Sequence, residues 1–359
     1  MKILYAFPEE LPLPKARGIQ ACATALALSK YSTIYFVAPF NKSPFQSFGL
    51  PASSSLKEIP LKRKWGSFKS TFLWALKLKL LTLKLKPDLT FVRHPKLALF
   101  LIKFRVFPLF FEVHEILKDK HPNKPKIESL ERTLYTQTQG LVFISQGLKI
   151  RANKLYRFKI PYIIAPSGTF ICNACASKKF IPEKIQEIYY VGTGHYAWKG
   201  LDTLFKALED CPRLFLHFVG PLDKKILPFF LKRRIRIYGW QNIWNIHQIL
   251  KKAQIGVLPN TGKEIVSRYY TSPMKLLDYM ATKTAIIASD LPSIRELVSE
   301  KEVLFFTPDD PKSLAEALHL LSQNGKLREY LAANAYEKAR EFTWERRAQK
   351  LYQFFRENI

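Results

Sequence analysis

Lys275 and Asp278 stand three residues apart behind Ser272 and Pro273, and that spacing on a helix suits a nucleoside diphosphate. Ser272 is a favoured N-cap and Pro273 suits the first helical position, so a helix is expected to begin there. Free backbone N–H groups at such a start attract phosphate, and Lys275 adds a full positive charge one turn in. Asp278 lies on the same side of the helix. Its carboxylate can accept hydrogen bonds from both vicinal hydroxyls of a ribose. From the residues alone, the alternative is a solvated ion pair on a helix whose Met274, Leu277 and Ala281 face the core.

The surrounding run, SRYYTSPMKLLDYMATKTAIIASDLPSIRE from Ser267 to Glu296, resembles the SPLKLFEYMA segment of glycosyltransferase family 4, including the next strand and the ASDLPSIRE turn. The resemblance implies a retaining, two-domain GT-B glycosyltransferase whose donor site includes Tyr270, Ser272, Pro273, Met274, Lys275 and Asp278. In that family an E-x7-E pattern sets its second glutamate on the donor ribose and its first near the transferred sugar. Asp278 occupies the second position here and Tyr270 the first, so a carboxylate is missing at the sugar end.

A second motif, VGTGHYAWKGLDTLFKAL from Val191 to Leu208, carries a lysine before a glycine. By resemblance Lys199 contacts the donor diphosphate, and Thr193 stands where an arginine is frequent, as a hydrogen-bond donor. Gly239 and Trp240, after a strand, resemble the family's loop along the donor base; a packed turn is the alternative. In the N-terminal half, Gly18 precedes the helical pattern Ile19 to Leu28 and lets backbone approach phosphate closely. FFEVHE, Phe110 to Glu115, resembles the segment whose histidine faces the sugar, which makes His114 a candidate contact to the transferred hexose. A satisfied structural histidine is the alternative.

No D-x-D triplet occurs, and no metal or other cofactor is expected. Lys199, Lys275 and the helix start would then stabilise the departing diphosphate.

These residues need strands to end beside them. Short β-branched and aromatic runs alternate with longer amphipathic segments throughout, the pattern of parallel βαβ architecture. Strands are expected near Lys2–Ala6, Thr33–Ala38, Leu56–Ile59, Leu89–Arg93, Leu109–Val113, Leu141–Ser145 and Tyr162–Ala165. Six more are expected near Ile188–Gly192, Leu214–Gly220, Ile235–Tyr238, Ile255–Pro259, Ala285–Ser289 and Val303–Thr307. The fold class is α/β, with two Rossmann-like doubly wound parallel sheets facing a cleft. Residues 1–170 form the acceptor domain and 171–342 the nucleotide-sugar domain, and a last helix, 343–359, begins at the N-cap Thr343 and packs back on the first domain.

The charge is +28 over 359 residues, and 47% of residues are hydrophobic, enough for two cores. Residues 1–170 hold 28 Lys+Arg against 9 Asp+Glu, and residues 171–359 hold 29 against 20. A field of this sign attracts a polyanion, and an anionic membrane surface or nucleic acid are the candidates. Residues 61–86 contain eight Lys+Arg and no acid, with Trp65, Phe68, Phe72 and Trp74 interleaved. Lys62, Arg63, Lys64, Trp65, Lys69 and Trp74 read as a monotopic membrane or acceptor segment; a solvated helix is the alternative. A lipid-linked or glycan acceptor fits, and nothing resembles a nucleic-acid-binding motif. The greasiest region, Leu97–Phe111, is interrupted by Lys103, Arg105 and Pro108, so no spanning helix is expected.

The start, MKILYAF, is too short for a signal-peptide core. Four cysteines, Cys22, Cys172, Cys175 and Cys211, agree with a reducing, cytoplasmic setting, and the lone C-x-x-C lacks the second pair a zinc site needs. The rival function is a sugar-nucleotide 2-epimerase of similar architecture, which would turn over donor without acceptor.

Overall fold

The computed structural model describes residues 1–13, 15–63, 68–180 and 185–359. The chain divides into two compact units, Met1–Ser167 with Trp344–Ile359, and Gly168–Thr343.

In the first unit the strands are β1 (Lys2–Ala6), β2 (Thr33–Ala38), β3 (Leu56–Pro60), β4 (Leu89–Val92), β5 (Leu109–Val113), β6 (Gly140–Phe143) and β7 (Tyr162–Ile164). Among the described residues they pair in the order β3-β2-β1-β4-β5-β6-β7. Every pairing is parallel, with Ile3 opposite Ile34 and Leu89 in register. The order reverses direction between β1 and β4, the topological switch point where such sheets open a crevice at the strands' carboxyl ends. Helices cover both faces, so central strands read as unbroken apolar runs. In β5, LFFEV, all five residues are buried, and Glu112 is the one polar exception.

The second unit carries β8 (Glu187–Val191), β9 (Phe215–Val219), β10 (Ile235–Ile237), β11 (Ile255–Leu258), β12 (Ala285–Ser289) and β13 (Val303–Phe306). Their order, β10-β9-β8-β11-β12-β13, places the switch point between β8 and β11. Tyr279 ties this point together. Its hydroxyl accepts from Val191 N–H at 2.9 Å and donates to the Tyr189 carbonyl at 3.2 Å, and its ring lies against Gly256, where a side chain would meet it at 2.8 Å.

The C-terminal helix, Trp344–Glu357, belongs to the first unit. It buries Trp344, Arg347, Ala348, Leu351, Phe354 and Phe355, with Phe355 4.7 Å from the Phe110 ring. Cys172 and Cys175 are joined in a disulfide, contrary to the reduced thiols expected from the cysteine count, while Cys22 and Cys211 are free and buried. Three residues of separation suffice because the short helical turn Asn173–Cys175 brings the two Cα atoms to 5.3 Å.

Candidate functional site

At the carboxyl end of β8 the chain runs through Gly192 and Thr193 into the turn holding Lys199. Gly200 ends that turn at φ +66, where a Cβ would collide with the Pro259 carbonyl after β11. The close approach brings Lys199 to the switch point. Its Nζ donates to Thr193 Oγ1 at 3.1 Å and lies 5.6 Å from the Trp198 ring. Thr193 therefore accepts from Lys199, and its hydroxyl proton remains available to a ligand.

Lys275 lies in the helix Met274–Ala281, with Nζ 4.1 Å over the centre of the Tyr190 ring. Among the described residues this Nζ has no hydrogen-bond partner, and Lys275 is 8% exposed. A Cβ placed on Gly192 would sit 3.2 Å from Tyr190 Oη and 3.3 Å from Lys199 Nζ, so the two lysines flank one tyrosine. Burial lowers the Lys199 amine to about 8. Burial, then repulsion from Lys199, holds Lys275 well below the ordinary lysine range. Asn260, just after β11, is fully buried with neither amide atom bonded. A buried Lys275 amine, a half-buried Lys199 and a glycine at φ +141 thus lie together at the carboxyl end of β8.

Asp278 is one turn on, but not exposed as a solvated pair would be; it is 4% exposed. Oδ1 accepts from Thr169 Oγ1 at 3.0 Å and lies 3.6 Å from His247 Nε2. These partners are 109 and 31 residues away, and no local signal reveals them. Oδ2 takes no hydrogen bond among the described residues, which leaves an oxygen for a hydroxyl donor.

The helix begins one residue later than expected. Pro273 occupies the cap position without a side-chain cap bond, and the buried Ser272 precedes it. Tyr270 is 1% exposed and closes a π-helical turn, Val266–Tyr270. It is a packed residue and adds no carboxylate. Gly239 has φ +67 and open space where a side chain would be, while Trp240 beside it is 39% exposed.

In the first unit, Gly18 lies within the helix Ala16–Leu28 rather than in the loop before it. Its N–H donates to Lys15 O, and a Cβ would meet Leu13 O at 2.8 Å. The glycine thus serves packing of the chain's own loop, and its N–H is already taken rather than left for a phosphate.

His114 follows β5 with Nε2 3.2 Å from Glu112 Oε2 and 17% side-chain exposure. Glu112 is fully enclosed. Burial would raise its carboxyl, but the His114 ring, then Arg347, which is bonded to it, and Arg93 hold it down at about 2. Burial, with Arg93, lowers His114 to about 4, so the imidazole is neutral at neutral pH. The ring lies beside the ionised Glu112 carboxylate, although Nε2 and Oε2 make no well-aligned hydrogen bond. Arg347 was legible as the lone cation on the apolar side of the last helix; its partner was not.

In the basic segment, Lys62 and Lys69 are exposed. Lys64 and Trp65 lie outside the described residues. Arg63 donates to the Pro8 carbonyl and Thr71 Oγ1. Trp74 is no membrane contact: it is 1% exposed and donates Nε1–H to Leu61 O at 2.9 Å. The helical period turns it into the core, and Phe72, Leu73, Leu76, Leu80 and Leu83 take the exposed positions instead.

Residues 185–324 match the family described as Glycosyl transferases group 1. A phosphatidyl-myo-inositol mannosyltransferase of Mycobacterium tuberculosis is 27% identical over 175 residues, 45% of either chain. This chain thus spans less than half the length of the curated relatives it matches. Among solved structures, a sucrose-phosphate synthase of Thermosynechococcus elongatus superposes with TM-score 0.78 at 16% identity over 99% of both chains. Anabaena HepE, solved with UDP-glucose, superposes with TM-score 0.76 at 15% identity over 99% of this chain and 100% of its own. At such identities the likeness is one of fold.

Proposed function

We propose, for a chain whose residues 185–324 match the Glycosyl transferases group 1 family and whose fold is GT-B, that it is a retaining glycosyltransferase. The donor is a nucleoside-diphosphate hexose. The observation that carries this reading is Lys275: a buried amine without a hydrogen-bond partner among the described residues, beside Lys199, one helical turn from a carboxylate with a free oxygen. Diphosphate between the lysines and ribose at Asp278 satisfies all three. Gly239 and Trp240 then lie along the base.

In the reaction the bond from the hexose anomeric carbon to the diphosphate oxygen breaks, and the nucleoside diphosphate leaves with the electron pair. Lys199 and Lys275 stabilise the charge that develops on it. The acceptor hydroxyl bonds to the same face of the sugar and passes its proton to the leaving phosphate. His114 contacts the transferred hexose, and the step needs no protein general base. The acceptor is a lipid-linked or glycan chain in cell-envelope polysaccharide or glycolipid synthesis. The protein works in the cytoplasm, peripheral on an anionic membrane surface, as the basic first unit suggests; among the described residues no helix is long and apolar enough to cross a membrane.

A thermal-shift series with nucleoside diphosphates and their sugars tests the donor. At 100 times Kd a bound donor raises stability by about 2.7 kcal/mol, and one base is expected to exceed the others. No shift with any of them, at millimolar concentration, sinks the reading. Donor consumption without acceptor would instead favour the epimerase. Turnover is also expected to survive EDTA, because lysines supply the positive charge; loss restored by magnesium or manganese refutes that part.

A further inference from the structure

The helix Phe68–Leu85 has a buried side, made by Thr71, Trp74, Ala75 and Leu78, and a second side that breaks the usual rule for a solvated face. Leu73, Leu76, Leu80 and Leu83 are 56%, 41%, 60% and 60% exposed. They follow the three- and four-residue spacing of one helical stripe, and Lys69, Lys77 and Lys84 lie along the same stripe. Leucines in solution flanked by ammonium groups suit an interface between hydrocarbon and anionic headgroups.

Beside this stripe is a cavity of about 730 Å³, within the roughly 300–1,000 Å³ range of small-molecule sites. Leu73, Leu76 and Leu80 line one side, and Lys62, Arg63 and Lys77 supply the charge, against one carboxylate, Glu10. Arg63 is held in place by its bonds to Pro8 O at 2.7 Å and Thr71 Oγ1 at 2.6 Å, while its buried Nε has no hydrogen-bond partner among the described residues. No carboxylate pairs with it among the described residues. A fixed guanidinium, two exposed ammonium groups and an apolar wall meet in one recess.

We propose that this cavity seats one anionic membrane lipid, its phosphate held by Arg63, Lys62 and Lys77 and its hydrocarbon laid against Leu73, Leu76 and Leu80. The charge balance and the adjoining leucines select an amphiphile over a free anion. The proposal rests on the membrane-surface reading above but not on sugar transfer, since binding needs no donor.

Flotation of the full chain on phosphatidylcholine vesicles, with and without phosphatidylglycerol, tests it. Recovery on the anionic vesicles is expected to fall at least about tenfold in the double variant Lys62→Gln, Lys77→Gln and again in Leu80→Ser. All three side chains are exposed, so neither variant threatens the fold. A control, Lys224→Gln with Lys225→Gln, removes the same charge from the second unit and should change recovery little. Equal loss in the control, or none in Leu80→Ser, overturns the cavity while leaving general attraction to the surface. Equal recovery on neutral vesicles overturns both. Inorganic phosphate at millimolar concentration should not displace the protein; displacement would make the site one for a free anion.

Discussion

Lys275→Met is expected to weaken nucleoside diphosphate binding by about 10²-fold or more while leaving the empty protein at least as stable as the parent. Truncating one member of a desolvated charge pair costs roughly 2–5 kcal/mol, and each 1.4 kcal/mol is tenfold in affinity. Methionine keeps the apolar stem against Tyr190 and removes a buried amine that has no partner in the empty site.

The protonation sign follows from the same burial. For Lys199, whose amine falls from 10.5 to about 8, the stability contribution is fully present above pH 10.5 and is lost as pH falls through about 8. Lys275 acts in the same direction. A bound diphosphate reverses the shift by favouring both charged forms, so binding takes up protons and affinity declines above about pH 8. Calorimetry in buffers of different ionisation enthalpy reads that uptake, which should shrink in Lys275→Met. Unchanged affinity in the variant, or no proton linkage in the parent, contradicts the placement of phosphate between the two lysines.

Gly200→Ala is expected to cost about 2–5 kcal/mol in the second unit. The residue adopts φ +66, and its new methyl would collide with the Pro259 carbonyl, which is backbone and has little room to yield. A left-handed conformation costs a non-glycine residue roughly 1–2 kcal/mol, and overpacking a close contact adds roughly 1–3. For a unit of this size the melting temperature should drop on the order of 10 °C. The turn also positions Lys199, so donor affinity should fall in whatever fraction remains folded. Gly239→Ala provides the contrast: it shares the positive φ but has open space around the added atom, so only the conformational part remains. Equal losses in the two variants would show that the Pro259 contact carries no energy.

Much of this architecture was legible because strands and helices leave periodic marks. All thirteen expected strands are present with ends shifted by at most two residues, since buried parallel strands are continuous apolar runs. Local spacing also put Lys275 and Asp278 on one side of one helix, and the turn chemistry of Lys199 and Gly200 was visible as a lysine before a glycine. Gly18 misled because a glycine near a helix start has two uses, close approach of a ligand and close approach of the chain's own loop. Only the position of Leu13 O distinguishes them. Trp74 misled because its composition, aromatic among lysines, is shared by membrane helices and by helices that dock an aromatic in their core.

The sequence by itself determined the two sheets, the helix that carries Lys275 and Asp278, and the excess of positive charge in the first half, for these depend on residue type and on spacing within a few turns. The tertiary structure decided what those residues face. Tyr190 lies under Lys275, Thr169 and His247 hold one oxygen of Asp278, and Arg347 returns from the last helix to Glu112. Each of these partners is brought in by strand order and crossover, so the burial that shifts Lys199, Lys275 and His114, and with it their chemistry, exists only once distant segments have packed.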